Sequence, residues 1–451
     1  MKRTILEASG SQLSLYSRFQ KGFTWNVVWA LFTQGSTFGI NLVVANILGR
    51  IVYGEFTILL STALTLSTIA QLATGITATK YVAESRSVDR TKTGRILGLC
   101  AALSIIMAIT TSLLLLIGAS PLAALVLKAP HLRGGLVIIT CAVFFSVLNG
   151  YQVGALAGLE SYRALARAGI IIGCLSLAFC TLTTYLWDLH GALIGIVIAS
   201  ILRWIIFGRA LRQESAKQGI SLTYRGAWAE RGIMLKFSIP AALSGFTTMP
   251  AIWIANAFLV RQHGGYDEMA LYGAANSFRM LALFIPIMIN NVGMSIINHQ
   301  LGLRNSRHYK KVFWLNLCAV GGAAFVFGTI MAILGPWLLL SFGKTFDAGY
   351  PTLLMLMLST IPEALAMTLF LIIQSRERMW HLFLFNTLPR DTAMVAFAYF
   401  LIPVQGALGL AISYSLSRTI SCIVNFIIVL HIGLDIRKNN GGNSLNLIIA
   451  K

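Results

Sequence analysis

Charge is what this chain has least of. Only 11% of its 451 residues are Asp, Glu, Lys or Arg, and the acids number 15 against 35 bases. No polar stretch is long enough to clothe a separate soluble domain, which excludes an appended soluble catalytic domain. Cysteine is scarce as well. The six (positions 100, 141, 174, 180, 318 and 422) lie in apolar runs without metal-ligand spacing and read as small core residues. The seven histidines form no HExxH or other paired arrangement. A phosphate-cradling glycine-rich loop, a Walker lysine and a nucleophile elbow are all missing, so no catalytic residue, metal or cofactor is expected.

Long hydrophobic runs are what is present. Apolar residues make up 57% of the chain. Twelve runs, at about 23–45, 56–78, 96–117, 136–156, 169–187, 191–208, 237–260, 269–290, 312–334, 352–373, 382–402 and 406–431, are long enough or nearly so to cross a bilayer. Only helices and closed barrels satisfy the backbone in lipid, and runs of this length are helical. The sequence therefore predicts an all-α polytopic membrane protein with about 12 transmembrane helices in two pseudo-symmetric six-helix bundles. Residues 1–22 form a cytoplasmic tail, 23–208 the N-terminal bundle, 209–236 a basic cytoplasmic linker, 237–432 the C-terminal bundle and 433–451 a second cytoplasmic tail. The first apolar run has full span length and no small-residue cleavage site, the mark of an uncleaved start.

A formal charge of +20 invites a nucleic-acid reading, but the placement of the bases points to a membrane instead. With the N-terminus in the cytoplasm, the outer side receives only Arg50, Lys128, Arg133, Arg261 and Lys344. The dense groups at 80–95, 209–236 and 304–311 all fall inside, which puts both termini in the cytoplasm and anionic lipid against the loops.

An internal repeat reinforces the two-bundle reading. Shifted by 215 positions, residues 160–203 lie on 375–418, so that Gly191-Ala192-Leu193 meets Gly406-Ala407-Leu408 and Arg203 meets Arg418. Each arginine stands twelve residues past its glycine. That places it ~18 Å along a helix, beyond the middle of a ~30 Å hydrocarbon layer. Tyr53-Gly54 and Tyr272-Gly273 also correspond, as do Gly75 and Gly293. Parallel repeats of this kind imply a site between two lobes.

Six ionisable residues fall at membrane depth: Arg203, Arg279, Arg390 and Arg418, with Glu363 and Asp391. An intramembrane arginine costs at least ~2.5 kcal/mol. The acids can neutralise two of the four, through pairs such as Arg390 with Glu363 or Arg203 with Asp391. The remaining cations call for an anionic ligand in a wet cavity. Arginine's planar fork suits phosphate. Neighbouring side chains on a helix diverge by ~100°, so Arg390 and Asp391 are expected to face different ways. A carboxylate such as Glu363 that takes a proton loosens its grip on arginine, which would give proton-coupled release. Prolines 240, 250, 286, 362 and 389 are expected to kink their spans.

Taken with the Gly49…Tyr53-Gly54-Glu55-Phe56 turn, the Phe342-Gly343-Lys344…Phe346…Ala348 segment and Gly406-Ala407-Leu408-Gly409, these features resemble the polysaccharide-transporter branch of the multidrug/oligosaccharidyl-lipid/polysaccharide exporter superfamily, whose members include the O-antigen flippases. The resemblance spans about residues 20–432. It implies a pair of six-helix bundles that moves undecaprenyl-diphosphate-linked oligosaccharide across the bacterial inner membrane. The partners it implies are the lipid-linked oligosaccharide, membrane lipid and other glycan-assembly membrane proteins, with no nucleic acid. The alternatives are a cation-coupled multidrug antiporter of the same superfamily, and a membrane-embedded glycan polymerase or ligase. The antiporter branch tends to carry a carboxylate in the first span, and this chain has none there. The polymerase or ligase needs a large outer loop, and the largest here is about 118–135.

Overall fold

A computed structural model describes residues 2–233, 239–302, 306–375 and 382–432. Among these residues every regular element is a helix. The long ones are α1 (Lys2–Ala70), α2 (Thr74–Ser85), α3 (Arg90–Pro121), α4 (Arg133–Gly158), α5 (Tyr162–Lys217), α7 (Ile239–Val260), α8 (Gly265–Gly302), α9 (Ser306–Leu340), α10 (Tyr350–Ser375) and α11 (Leu388–Ile432), with a single turn α6 at Arg231–Ile233. Eight helical stretches are long and apolar enough to cross a membrane. Three of them (in α1, α5 and α11) are each two spans joined at a break. With the shorter apolar helix Gly245–Val260, they account for all twelve runs.

The breaks explain how one helix can serve two spans. Gly49 leaves helical geometry in α1 (φ 72°, ψ 177°). In α5 the break is at Trp187 and Asp188, and in α11 at Gly406. Asp188 (φ 47°, ψ −130°) and Gly406 (φ 53°, ψ −127°) have almost the same backbone conformation, a shared device at corresponding places in the two halves. This corrects the register of the repeat. Measured from the break, Arg203 stands fifteen residues along its helix and Arg418 twelve, so Arg203 lies nearly one turn further on. The prolines are not where the backbone leaves the helix. Pro250, Pro286 and Pro362 sit inside helices, whereas the non-helical residues are those just named. Pro240 occupies a first turn, where a missing N–H costs little, and Pro389 follows directly on a π-helical turn.

One further discontinuity has no glycine to announce it. Between α1 and α2, Leu72 (φ 45°) and Ala73 (φ 54°) are both left-handed. Gln71 lies at this break and donates to the Ser146 carbonyl of α4 at 3.4 Å. This bond ties the break to α4, while the break's own Leu72 and Thr74 N–H groups bond the carbonyls of Ile69 and Gln71.

The described residues of 2–273 with 341–345 form one compact unit, and those of 274–340 with 346–432 form another. The first has a core around Leu97, Leu156, Leu165 and Phe207. Helix α7 belongs to this unit, although the sequence groups it with the second half. Trp253 donates to Thr62 of α1, and Asn256 to Ser61, each at 2.9 Å. Hydrogen bonds between helices of this kind substitute for a hydrophobic drive that lipid does not supply. Two of the segments that carry the family resemblance meet here. The Tyr53 ring packs edge-on against Phe342 with centroids 6.1 Å apart, Asn46 donates to the Ser341 carbonyl at 2.7 Å, and Arg50 donates to the Thr345 carbonyl at 3.3 Å. The described part of the polar stretch, 209–233, packs on the bundle. Helix α5 runs on to Lys217, Thr223 N–H bonds the Gly94 carbonyl of α3, and Arg95 pairs with Glu230 at 3.1 Å. The N-terminal residues from Lys2 continue directly into the first span as helix, and the tail at 433–451 lies outside the described residues. The second unit has its core around Ile297, Phe313, Leu369 and Ile373.

The paired breaks generate a prediction of opposite signs. Only glycine adopts this conformation freely, so Gly406→Ala should lower the thermal midpoint by an amount equivalent to about 1–3 kcal/mol, while Asp188→Gly should raise it. Thermal unfolding of the purified protein in detergent reads both; a shift in the same direction for the two variants would contradict the strain argument.

Candidate functional site

The second unit holds three of the four arginines and both acids. Glu363 lies in the middle of α10, just after Pro362, and is 6% exposed. Arg279 on α8 is 4% exposed. Tyr414 and Arg418 are four residues apart on α11 and so share a helix face.

These four side chains make one cluster. The Arg279 Nη1 donates to Glu363 Oε2 at 2.5 Å and to the Tyr414 hydroxyl at 3.0 Å. That hydroxyl donates in turn to Glu363 Oε1 at 2.7 Å, and Arg279 Nε donates to Asn276 Oδ1 at 2.9 Å. Arg279 is thus held on both sides of its fork. Arg418 differs. Its Nε is 3.9 Å from Glu363 Oε1, close enough for charge attraction but too far for a hydrogen bond, and it is buried with no hydrogen-bond partner. Both guanidinium carbons lie 4.6 Å from the centroid of the Tyr414 ring, so one aromatic ring supports two cations.

Arg390 and Asp391 pair with each other, at 2.8 Å from Nε and 2.7 Å from Nη2 to the same oxygen. This overturns the expectation that they face apart. Their Cβ atoms do diverge around the helix, but arginine's long side chain folds back far enough to reach its neighbour. It also replaces the anticipated pairs: Glu363 bonds Arg279 rather than Arg390, and Asp391 takes Arg390 rather than Arg203. Arg390 remains within Coulombic range of Arg418. Among the described residues, three guanidinium groups therefore meet two carboxylates in the interior of this unit, and Arg418 is the cation held least closely by an acid.

Arg203 belongs to the first unit. It lies on the buried stripe of α5 formed with Ser200, Phe207 and Leu211, is half-buried, and has no ion pair or hydrogen bond among the described residues. The structure thus brings Arg279, Glu363, Arg390, Asp391 and Arg418 together and describes Arg203 in surroundings of its own. Sequence reasoning missed Tyr414. The available signal was its position one turn before Arg418, although an aromatic at such spacing is more often ordinary core. Among the described residues no group of His, Cys, Asp and Glu is placed to hold a metal ion.

A family model described as polysaccharide biosynthesis protein matches residues 19–297, more than half the chain. The chain belongs to that family. Its fold is that of the exporter superfamily named above. A multidrug resistance MATE family transporter of the MOP superfamily, in an inward-facing conformation, superposes with a TM-score of 0.76 at 15% identity, over 91% of this chain and 96% of the other. A eukaryotic MATE transporter gives 0.69 at 15% identity, covering 92% of this chain and 98% of its own. A MOP superfamily transporter from Pyrococcus furiosus gives 0.67 at 16% identity, covering 90% and 94%. At these identities the likeness is one of fold alone. No match among curated proteins was found by sequence.

In this polysaccharide biosynthesis family member, the two kinds of arginine predict different costs of removal. Arg279→Ala strands Glu363 without its main partner and should destabilise by about 3–5 kcal/mol. Arg418→Ala removes a charge that no carboxylate fully balances and should leave the thermal midpoint unchanged or raise it. Melting of the two variants side by side checks this. An Arg418→Ala loss as large as that of Arg279→Ala would mean Arg418 is a structural partner like Arg279.

Proposed function

We propose that the chain is a flippase that translocates undecaprenyl-diphosphate-linked oligosaccharide repeat units across the bacterial inner membrane by alternating access, for O-antigen, capsule or exopolysaccharide assembly. The observation that carries this reading is the buried Nε of Arg418, a charged donor without an acceptor beside a cluster whose acids are already engaged. A guanidinium group kept in that state within an apolar bundle costs stability, and a protein retains such a cost where a ligand repays it. The ligand must be anionic, and a diphosphate offers oxygens that match the arginine fork. Membership of the polysaccharide biosynthesis family supports a glycan carried on such a headgroup.

Arg418 is the first contact for the diphosphate. Arg390 and Arg279 strengthen the field around it, and Tyr414 keeps two of the three cations in place by its ring. Arg203, unpaired in the other unit, is a further phosphate or glycan contact. The polyprenyl tail stays in lipid, and the basic loops keep both termini on the cytoplasmic side. Glu363 supplies the coupling. Its protonation cancels one of the two negative charges and frees Arg279 and Tyr414, so the cluster gains positive charge and holds an anion more firmly. Loss of that proton restores the Arg279 pair and favours release, the reverse of the sequence expectation that proton uptake gives release, because a freed Arg279 binds the anion instead of letting it go.

The same fold serves multidrug transporters, but a cationic drug would meet a surplus of positive charge here, and the first span offers no acid to receive it. The Pyrococcus furiosus transporter of this fold is described as having a binding pocket of reverse polarity that suggests a different function, so the scaffold accommodates more than one sign of charge.

Export of lipid-linked glycan in cells lacking their own flippase tests the reading. Arg418→Ala should abolish surface glycan while the protein remains folded in the membrane, and Arg418→Lys should restore part of it, because charge survives and the fork does not. Full surface glycan from Arg418→Ala would refute the site. Separately, Glu363→Gln should flatten the pH dependence of transport into vesicles; a wild-type pH profile in that variant removes Glu363 from coupling.

A further inference from the structure

Immediately before Arg390, α11 is preceded by a π-helical turn, Phe383–Thr387. Pro389 lies just beyond it. Proline has no N–H for the preceding turn and its ring presses on that turn, which a widened turn accommodates. Asn386 and Thr387 are carried on this turn, and each is 1% exposed. Three of their atoms, Asn386 Nδ2, Asn386 Oδ1 and Thr387 Oγ1, have no hydrogen-bond partner among the described residues. Leucine and valine would fill the same space without that penalty, and the rest of this chain uses such residues freely. Buried polar groups left unsatisfied in this way call for an explanation.

The chemistry of the three atoms narrows what they await. Asn386 offers both a donor and an acceptor, and the Thr387 hydroxyl can be either. A phosphate could take the amide N–H and the hydroxyl but would confront the Asn386 carbonyl with negative charge. An apolar tail would satisfy none of them. A hydroxyl-bearing ring, donating through one hydroxyl and accepting through the next, satisfies all three. Asn386 lies four residues before Arg390 and Thr387 four before Asp391, so on the helix each stands one turn from a member of that ion pair.

We propose that Asn386 and Thr387 form a saccharide subsite next to the anion site, and that they read the hydroxyls of the sugar attached to the diphosphate. This rests on the anion-binding reading of the Arg418 cluster and adds the groups that distinguish a glycosylated headgroup from a bare one. The buried subsite opens when the π turn shifts, with the widened turn and Pro389 supplying the give. While empty, it costs the fold stability in exchange for selectivity.

The test uses full-length protein in detergent and two probes of equal charge: a short-chain prenyl diphosphate capped with a disaccharide, and the same lipid capped with a methyl group. Wild type should bind the disaccharide probe more tightly by about tenfold or more, the scale of one or two net hydrogen bonds. The double variant Asn386→Leu with Thr387→Val should bind the methyl-capped probe as wild type does, lose the preference for the disaccharide, and melt at the same temperature or higher. Should the double variant fail to fold, Thr387→Val alone, which keeps the side-chain shape, should lose part of the preference. A preference that survives in the variants overturns the proposal. So does a lower melting point with binding untouched, which would show that buried water already satisfies these atoms. If Arg418→Ala binds both probes as wild type does, the anion site itself is wrong; if Arg418→Ala weakens both while the double variant keeps its preference, only the saccharide subsite is.

Discussion

A guanidinium group buried in an apolar helix bundle without a full counter-charge is the constraint around which this protein is arranged. Lipid offers such a group nothing, and among the described residues the bundle offers Arg418 the Tyr414 side chain and a carboxylate that is already bonded to Arg279 and Tyr414. The neighbouring Arg390–Asp391 pair engages the second acid. Most of the second unit is apolar membrane-helix packing, with some amides bonded between helices, such as Asn316 to Asn290 and Asn425 to the Ala366 carbonyl. The buried charges gather on α8, α10 and α11.

The fold holds these residues by means of helix breaks and interhelical hydrogen bonds. Each broken helix gives two spans from one continuous stretch, and the matching geometry at Asp188 and Gly406 shows the same device used in both halves. In the first unit, polar bonds from Trp253 and Asn256 to α1 and the packing of Tyr53 on Phe342 fix the helices where apolar burial alone would not discriminate one neighbour from another. The family model and the structural likenesses agree with this architecture.

Much of this was legible in the amino-acid order. The described residues of the twelve apolar runs fell on helices, save the break at 71–73, because run length against bilayer thickness is a strong signal. Gly49 and Gly406 announced their breaks, whereas Leu72 and Ala73 could not, since neither residue type is associated with a left-handed backbone. Asp188 was hidden for the same reason, and reading the repeat from Gly191 placed Arg203 level with Arg418, whereas from the break it lies nearly a turn further on. Which residues were buried charges could be read; how they paired could not. Pairing depends on side-chain reach across helices, and the Arg390–Asp391 contact shows that even neighbours on one helix escape a rule based on Cβ direction. Tyr414, Asn386 and Thr387 carried no signal beyond their spacing, because tyrosine, asparagine and threonine in a span are more often satisfied structural residues.

The most direct test is a structure of the protein in a lipid nanodisc with a short-chain prenyl diphosphate bound. The account predicts phosphate oxygens within hydrogen-bond distance of Arg418 Nε and Glu363 withdrawn from Arg279. A diphosphate bound elsewhere, with Arg418 still unbonded beside an intact Arg279–Glu363 pair, would contradict it.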